Sequence, residues 1–137
     1  MFELYYGNLE KAIMVHRQIP EFDPAYIQSR YVEKKIASKN PYIIICRHDA
    51  ADVGYMIGYD APDSMYLWLN GTLPDCRKKG VFRLMLDDLV AEAKRRGHTK
   101  ITVKSYERFN PMLNALANAG FHQTGREGSS ILLDRIV

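Results

Sequence analysis

The sequence predicts a single α+β domain, residues 1–137, whose elements follow the order β-α-α-β-β-β-α-β-α-β-β. A length of 137 residues is near the commonest size of one domain and is long enough to bury one core. Three consecutive segments between residues 42 and 71 run apolar or alternate in the manner of strands. From Gly80 the apolar residues change to a helical spacing, which places a long helix after the strands.

The first 40 residues are predicted to contain one strand and two helices. Residues 2–6 indicate a short strand, and Asn8 can cap a helix behind it. Asp23-Pro24 is typical of a helix start, because the carboxylate accepts hydrogen bonds from the first N–H groups and proline suits the first turn. A second helix is therefore expected over residues 24–37.

The next three segments are predicted to form an antiparallel meander. Residues 42–46 are an unbroken apolar run, whereas 53–59 and 65–71 alternate between two faces. Turn-forming residues separate the three segments at 48–49 and at 61–64. Short turns join strands that run in opposite directions, so the three strands should lie side by side.

The long helix and the elements after it complete the predicted order. The helix opens at Gly80, carries three basic residues at 94–96 in its last turn and stops at Gly97. Its core face is expected to consist of Phe82, Met85, Leu86, Leu89, Val90 and Ala93. The remaining elements are a strand at 101–103, a short helix from Asn110-Pro111 to Gly120, and two strands, one from Phe121 and one at 131–136.

The composition is that of an ordinary globular protein, with 47% hydrophobic and 26% charged residues. No apolar run is long enough to span a membrane, and the N-terminus lacks the basic and apolar stretches of a secretory signal, so we expect a cytoplasmic location. The net charge of +3 and the isoelectric point near 8.8 are mildly basic, and the positive residues are dispersed. This favours an anionic ligand over nucleic acid.

The cysteines and histidines do not form a metal-binding pattern. Cys46 and Cys76 lack CxxC spacing, so reduced thiols are expected rather than a disulfide. The histidines show no i, i+4 pair, and solvated or capping roles are expected for all four: His16, His48, His98 and His122. No metal site is predicted.

The junction between residues 65–71 and the long helix carries the strongest functional signal. The strand is followed by a loop at 73–76 and by the segment 77–80, Arg-Lys-Lys-Gly, which opens the helix. The free N–H groups and the positive dipole end of a helix start bind anions, and a glycine there lets a phosphate approach the backbone. Three basic side chains add positive charge, so the junction suits a pyrophosphate group.

This junction resembles the signature of the GNAT superfamily of N-acetyltransferases, in which a strand and a proline-containing loop lead to Arg/Gln-x-x-Gly-x-Gly/Ala at a helix start. Residues 72–80, Thr-Leu-Pro-Asp-Cys-Arg-Lys-Lys-Gly, are similar to that segment. The helix start at 110–113 and the closing Gly120-Phe121 resemble a second family segment. With the element order, the resemblance covers about residues 1–135. It implies a mixed, mostly antiparallel sheet of six to seven strands flanked by about four helices.

The resemblance implies a binding site for acetyl-CoA. Backbone amides from Lys78 to Phe82 would hold the pyrophosphate, and the edge of strand 66–72 would pair with the pantetheine arm. That strand would separate from the strand at 99–105 to admit the cofactor. Asn110 would contact the cofactor, cap its own helix, or do both. The cofactor-binding residues expected on this basis are Asn70, Gly71, Thr72, Arg77, Lys78, Lys79, Gly80, Val81, Phe82 and Asn110.

Acyl transfer also needs a donor for the oxyanion and a proton source for the leaving group. A main-chain N–H near Asn70, Gly71 or Thr72 is expected to serve the oxyanion, because a glycine within a strand often marks a bulge. Family members often carry a tyrosine as general acid four residues before the closing glycine, where this sequence has Leu116. Tyr106 is the nearest substitute and is the candidate catalytic acid.

The general base and the cofactor groove also depart from the family pattern. Residues 65–71 contain no carboxylate where relatives often have one. Glu21, Asp60 or Asp63 is expected to act instead, directly or through water, and Glu21 is the first candidate. Phe82 occupies the position of a small residue in the signature, so we expect it to narrow the groove.

Three hypotheses about function follow. The first is transfer of an acetyl group from acetyl-CoA to a primary amine of a small molecule, peptide or protein, by direct attack of the amine on the thioester. The second is an acyl-CoA-binding module of the same fold with weak or no turnover, suggested by Leu116, Phe82 and the missing carboxylate. The third, a basic nucleic-acid-binding domain, rests only on the isoelectric point. Exposed sheet edges are compatible with a homodimer.

Overall fold

A computed structural model describes residues 1–22 and 29–137, with side chains described from residue 33 onwards after the gap. The described residues form seven strands, which are β1 (Phe2–Tyr6), β2 (Tyr42–His48), β3 (Ala51–Asp60), β4 (Met65–Thr72), β5 (Lys100–Tyr106), β6 (His122–Glu127) and β7 (Ser130–Ile136). The helices in the same residues are α1 (Leu9–His16), α2 (Ser29–Ile36), α3 (Val81–Arg95) and α4 (Asn110–Asn118). No helix in this part of the chain is long and apolar enough to cross a membrane.

The element order and the fold class predicted from the sequence are confirmed. All seven strands belong to one sheet in the order β1-β2-β3-β4-β5-β7-β6. The predicted start of the second helix, Asp23-Pro24, lies outside the described residues. Within the described residues, α2 ends at Ile36, one residue before the predicted end.

The sheet is antiparallel except at one place. The predicted meander is present, since β2, β3 and β4 pair antiparallel with their neighbours. Strand β4 pairs with β5 in parallel, because α3 carries the chain back over the sheet between them. The single parallel pair therefore lies directly beside the junction that the sequence singles out.

Two apolar cores form on the two faces of the sheet. One lies under α3 and α4 and includes Met56, Leu67, Met85 and Leu89. The other lies under α1 and includes Tyr55 and Trp68, with further members at Ile13, Ile45 and Ile57. Burial of apolar area on both faces is the main force that holds this arrangement together.

Strand β4 contains a bulge, but not where the sequence analysis places it. Leu69 pairs with Ile57 and Leu67 pairs with Gly58, so Trp68 is the extra residue. The pairing then continues without a shift through residues 70–72. The prediction of a bulge at Gly71 is wrong; the bulge two to three residues earlier turns both Trp68 and Leu69 toward the α1 side of the sheet.

Strands β4 and β5 pair over only three residues. Met65, Tyr66 and Leu67 of β4 face residues 101–103 of β5. Beyond this point, β4 continues to Thr72 and β5 to Tyr106, and no β4–β5 pairing is found in these described segments. The predicted separation of the two strands is confirmed, and it opens a gap in the middle of the sheet.

Candidate functional site

Two clefts meet where β4 and β5 separate. The larger cleft has a volume of about 890 Å³ and extends from the end of β4 along the start of α3 to one side of α4. The smaller has a volume of about 390 Å³ and lies on the side of α1. Asn70, Phe109 and Met112 border both, so a molecule in one cleft can reach a molecule in the other through the opening.

The start of α3 forms one wall of the larger cleft. Gly80 is the N-cap residue of the helix and adopts a left-handed conformation with φ of 86°. The N–H of Leu84 bonds back to the carbonyl of Gly80, which leaves the N–H groups of residues 81–83 without partners inside the helix. A Cβ atom added at Gly80 would meet nothing within 4 Å, so the backbone is open to a ligand here. These features fit a pyrophosphate group.

The basic side chains before Gly80 differ in their surroundings. Lys78 adopts a positive φ of 61° and borders the larger cleft. Lys79 is exposed and does not border either cleft. Arg77 borders the larger cleft, but its guanidinium is held by other protein groups.

Arg77 ties the loop before α3 to two other segments. Its Nη1 and Nη2 donate to the two carboxylate oxygens of Glu21 at 2.5 and 3.0 Å. Its Nε donates to the carbonyl of Thr72 at 3.1 Å. The hydrogen bond from Arg77 lowers the pKa of Glu21 below its usual range. A carboxylate with a lowered pKa is a weak general base near neutral pH.

The first turn of α3 orients Val81 and Phe82 differently from the prediction. Val81 is buried in the core with Met85 and Leu89, which follow it at four-residue spacing. Phe82, which the sequence places on the core face, does pack against this core, but it is only half-buried and also borders the larger cleft. The difference follows from helical geometry, since neighbouring residues are about 100° apart around the axis.

Helix α4 contributes two asparagines that the sequence analysis did not select. Asn110 is the first helical residue, is exposed, and borders neither cleft. Phe109 is the N-cap residue and no side chain caps the helix, so the prediction that Asn110 caps it is wrong. Asn114 and Asn118 border the larger cleft instead. Their four-residue spacing, which places both on one side of a helix, is the signal that identifies them.

Aromatic side chains surround the smaller cleft. Phe22, Tyr66, Trp68, Tyr106 and Phe109 all border it. Tyr106, the candidate acid, is the last residue of β5 and its ring centroid lies 6.0 Å from that of Phe109. Glu21, the candidate base, borders this cleft as well. The structure therefore brings both candidates to the opening, although 85 sequence positions separate them.

A buried histidine lies beside the smaller cleft. His16 is 3% exposed, and its Nδ1 lies 2.6 Å from the hydroxyl of Tyr55. Its ring stacks on Phe22 with the centroids 4.9 Å apart. The expected solvated or capping role is wrong for His16, because it is placed four residues after Ala12 on the core side of α1.

Gly71 lies over this buried group. A Cβ atom there would come within 2.3 Å of the Ile19 side chain, 2.9 Å of Phe22 and 3.1 Å of the Tyr55 ring. Gly71 is therefore required for close packing between β4 and the segment after α1. Gly71 and its neighbours Asn70 and Thr72 all border the larger cleft.

The other two carboxylates considered as a base are not at the clefts. Asp60 ends β3 and accepts hydrogen bonds from Arg96 at 3.1 Å, and His98 Nε2 lies 2.8 Å from the same carboxylate oxygen. Asp63 is exposed in the turn that precedes β4. Both are at the end of β4 opposite to Asn70 and border neither cleft, so their positions do not favour either as the base.

Arg96 has a larger role than complementing the helix dipole. Its guanidinium bonds to Glu92 at 2.6 Å and to the carbonyl of Asn40 at 2.6 Å, in addition to Asp60. It thereby fastens the last turn of α3 to the start of β2 and the end of β3.

Neither cysteine forms a disulfide, and burial raises the pKa of the Cys46 thiol to about 11. In the part of the chain that the structure describes, no group of three or more histidine, cysteine or acidic side chains is placed to hold a metal.

Comparisons with known proteins agree with this architecture. A family model described as "Acetyltransferase (GNAT) domain" matches residues 10–130. PaiA N-acetyltransferase from Thermoplasma acidophilum, solved in complex with coenzyme A, superposes with a TM-score of 0.82 at 14% identity, over 100% of this chain and 99% of that one. The ribosomal-protein-S18-alanine N-acetyltransferase from Escherichia coli superposes with a TM-score of 0.83 at 14% identity, over 100% of this chain and 94% of that one.

A third structure, a GNAT family acetyltransferase from Elizabethkingia anophelis with acetyl-CoA bound, gives a TM-score of 0.77 at 11% identity, over 99% of this chain and 98% of that one. No curated protein matches the sequence. The mixed sheet, which opens beside the start of α3, has the fold of these acetyltransferases. The chain belongs to the GNAT acetyltransferase family.

Proposed function

We propose that this protein transfers an acetyl group from acetyl-CoA to a primary amine. The observation that carries the proposal is the opening between β4 and β5, with the open helix start at Gly80 on one side and an aromatic cleft on the other. A donor and an acceptor can therefore enter from two sides and meet near Asn70. Structures of relatives with bound CoA and acetyl-CoA support the same donor.

The donor would bind along the larger cleft. The N–H groups of residues 81–83, with Lys78 beside them, suit the pyrophosphate. The side of β4 that faces the gap has main-chain groups with no strand partner among the described residues from 68 to 72, which suits an extended amide-containing arm. Acetyl-CoA supplies the activated thioester. Asn114 and Asn118 offer further polar contacts on the opposite wall.

The catalytic roles follow from positions around the opening. Main-chain N–H groups near Asn70 and Gly71 are the proposed donors to the reacting carbonyl oxygen. The Tyr106 hydroxyl is the proposed proton donor to the leaving thiolate. For Glu21 we propose a positioning role rather than a basic one, because its carboxylate is already bonded to both terminal nitrogens of Arg77.

Replacing Gly80 tests the proposal, and Gly97 provides a matched control. Gly97 lies at the other end of α3 with φ of 82°, and a Cβ atom there also meets nothing within 4 Å. Gly80→Ala and Gly97→Ala should each cost about 1–2 kcal/mol of stability through the same left-handed strain. Only Gly80→Ala should weaken acetyl-CoA binding, by about tenfold or more in isothermal titration.

Two outcomes would overturn the proposal. One is the absence of CoA or acetyl-CoA binding to the unmodified protein at millimolar concentration. The other is an equal effect of the two alanine substitutions on acetyl-CoA binding, which would mean that the helix start at Gly80 does not bind the cofactor.

A second candidate function is binding of acyl-CoA without efficient turnover. Leu116, at the position where relatives often carry the catalytic tyrosine, is fully buried in the core. Strand β4 has no carboxylate, and Phe82 borders the larger cleft. Release of free thiol from acetyl-CoA above background with any member of an amine panel would reject this alternative.

A further inference from the structure

We propose that the acceptor is an amine that carries a carboxylate beside an apolar or aromatic group, and that Arg108 binds the carboxylate. This inference rests on the proposed function, because it concerns the acceptor in the smaller cleft. It is supported by the position of Arg108 against two aromatic rings, by the charge of the cleft and by its aromatic walls.

Arg108 is held at the opening by two aromatic rings. Its guanidinium carbon lies 4.6 Å from the centroid of Tyr106 and 4.7 Å from that of Phe109. Contacts of this kind orient the planar guanidinium and leave its N–H groups at the edges. Among the described residues, no carboxylate lies within ion-pair distance of Arg108. The group is therefore oriented and available for an anion.

The other charges of the smaller cleft favour the same kind of ligand. Lys35 lies over the Trp68 ring at 4.9 Å, and Lys104 is 3.6 Å from Glu127 at the rim. Among the described lining residues the only carboxylate is Glu21, which is already paired with Arg77. The lining is therefore cationic, and a polyamine or a lysine-rich peptide would be repelled there.

The walls of the cleft indicate the rest of the acceptor. Tyr66, Trp68 and Phe109 present ring surfaces, and Met112 adds an apolar side chain. Such surfaces bury an apolar or aromatic body, while the few charged groups fix its orientation. A carboxylate at Arg108 would leave the amine of a small amino acid close to the opening that Arg108 also borders.

Matched pairs of amines test this inference. Phenylalanine and phenethylamine differ only in the carboxylate, as do lysine and cadaverine, and O-phosphoethanolamine tests whether a phosphate serves as well. We expect kcat/KM for thiol release to favour the carboxylated member of each pair by about tenfold or more, which corresponds to about 1.4 kcal/mol. In Arg108→Gln the ratio of kcat/KM between the two members of each pair should fall to near one, while the Kd of CoA should stay unchanged.

Arg47→Gln is the matched control. Arg47 also lies over an aromatic ring, with its guanidinium carbon 4.6 Å from the Tyr5 centroid, but it does not border either cleft. The Arg47→Gln variant should retain the preference for the carboxylated amines. Three results would overturn the inference. The first is a preference for the decarboxylated amines, and the second is a higher kcat/KM for O-phosphoethanolamine than for the carboxylated amines. The third is a preference for the carboxylated amines that is retained in Arg108→Gln. A weaker CoA Kd with unchanged acceptor preference would assign Arg108 to the cofactor and overturn it as well.

Failure of the proposed function can be told apart from failure of this inference. If no amine releases thiol, binding of phenylalanine and phenethylamine to the CoA complex is compared by isothermal titration. Tighter binding of phenylalanine that depends on Arg108 would support the acceptor assignment while removing the claim of turnover. Equal binding of the two amines would reject the acceptor assignment.

Discussion

At the scale of single residues, the site depends on close packing around Gly71 as much as on its polar and charged groups. Gly71 belongs to the strand that borders the gap, and the side chains of Ile19 and Phe22 fill the position that a Cβ atom would take. The same contacts place Phe22 against His16, on the wall of the smaller cleft. A glycine in the strand thus determines how closely the segment after α1 approaches β4.

Gly71→Ala should destabilise the protein by about 1–3 kcal/mol, because the added methyl group overpacks a closely filled region. Urea denaturation monitored by circular dichroism measures the change. Gly125→Ala is the control, since the nearest atom to its new Cβ is Leu132 Cδ1 at 3.3 Å, and a smaller effect is expected. Equal effects of the two substitutions would contradict this explanation of Gly71.

The buried bond between His16 and Tyr55 makes a separate contribution. Tyr55→Phe removes the hydroxyl and leaves the Nδ1 atom of a 3% exposed histidine without that partner, at a cost of about 1–3 kcal/mol. Tyr5→Phe is a suitable comparison, because its hydroxyl bonds to Asp52 at a part-buried site and its loss should cost less. Chemical denaturation of both variants measures the loss of stability in each. A larger loss in Tyr5→Phe than in Tyr55→Phe would contradict this expectation.

At the scale of elements, α3 is fastened at both ends by arginines. Arg77 connects the loop before the helix to Thr72 and Glu21, and Arg96 connects its last turn to Asp60 and to the carbonyl of Asn40. The cluster at the second end lies far from the clefts. It can therefore be tested for stability without altering the site.

Asp60→Asn should cost roughly 1–2 kcal/mol at pH 7, because it removes charge-assisted hydrogen bonds at a part-buried position. Burial alone would raise the pKa of Asp60, but the hydrogen bonds from His98, Asn40 and Arg96 and the charge of Arg96 together outweigh burial and lower it. A lowered pKa means that the stabilisation is complete above about pH 4, the unfolded value, and is lost as the pH falls through the folded value.

Denaturation at several pH values checks the sign of this effect. The stability difference between the unmodified protein and Asp60→Asn should shrink below about pH 4. Asp63→Asn, in the exposed turn nearby, should show little difference at any pH. A stability difference between the unmodified protein and Asp60→Asn that grows as the pH falls would contradict this explanation.

The elements were predictable from the sequence because each has a clear period, but the details of the site were not. Residues 66–69, Tyr-Leu-Trp-Leu, are aromatic or apolar throughout and include no charged residue to mark a change of face, so the bulge at Trp68 was not visible in the sequence. The helix start at Gly80, which is proposed to bind the pyrophosphate, depends on neighbours in sequence and could be predicted from them. The placement of Arg108 and Phe22 at one opening depends on pairing between distant strands, which local patterns do not contain.

At the scale of the whole molecule, the sheet consists of two parts joined by a short seam. Strands β1 to β4 form one part and β5, β7 and β6 the other, and three residue pairs of β4 and β5 join them. A donor bound in the gap would contact both parts. Binding should therefore stabilise the molecule as a unit.

Acetyl-CoA at about 100 times its Kd should raise the free energy of unfolding by about 2.7 kcal/mol, and Tm by roughly 10 °C for a domain of this size. Differential scanning fluorimetry over a series of ligand concentrations measures the shift. Gly97→Ala should retain it, whereas Gly80→Ala should require higher concentrations. A Tm that does not depend on ligand concentration in the unmodified protein would argue against binding in the gap.

The gap has a consequence for how the protein avoids unwanted partners. A strand with unpaired main-chain groups at the rim of a sheet is a template for aggregation with other chains. The free side of β4 instead lies in the interior of the sheet, between β4 and β5, and not at its rim. The protein can thus keep an unsatisfied strand in the middle of its fold, ready for a ligand, without presenting it to other copies of itself.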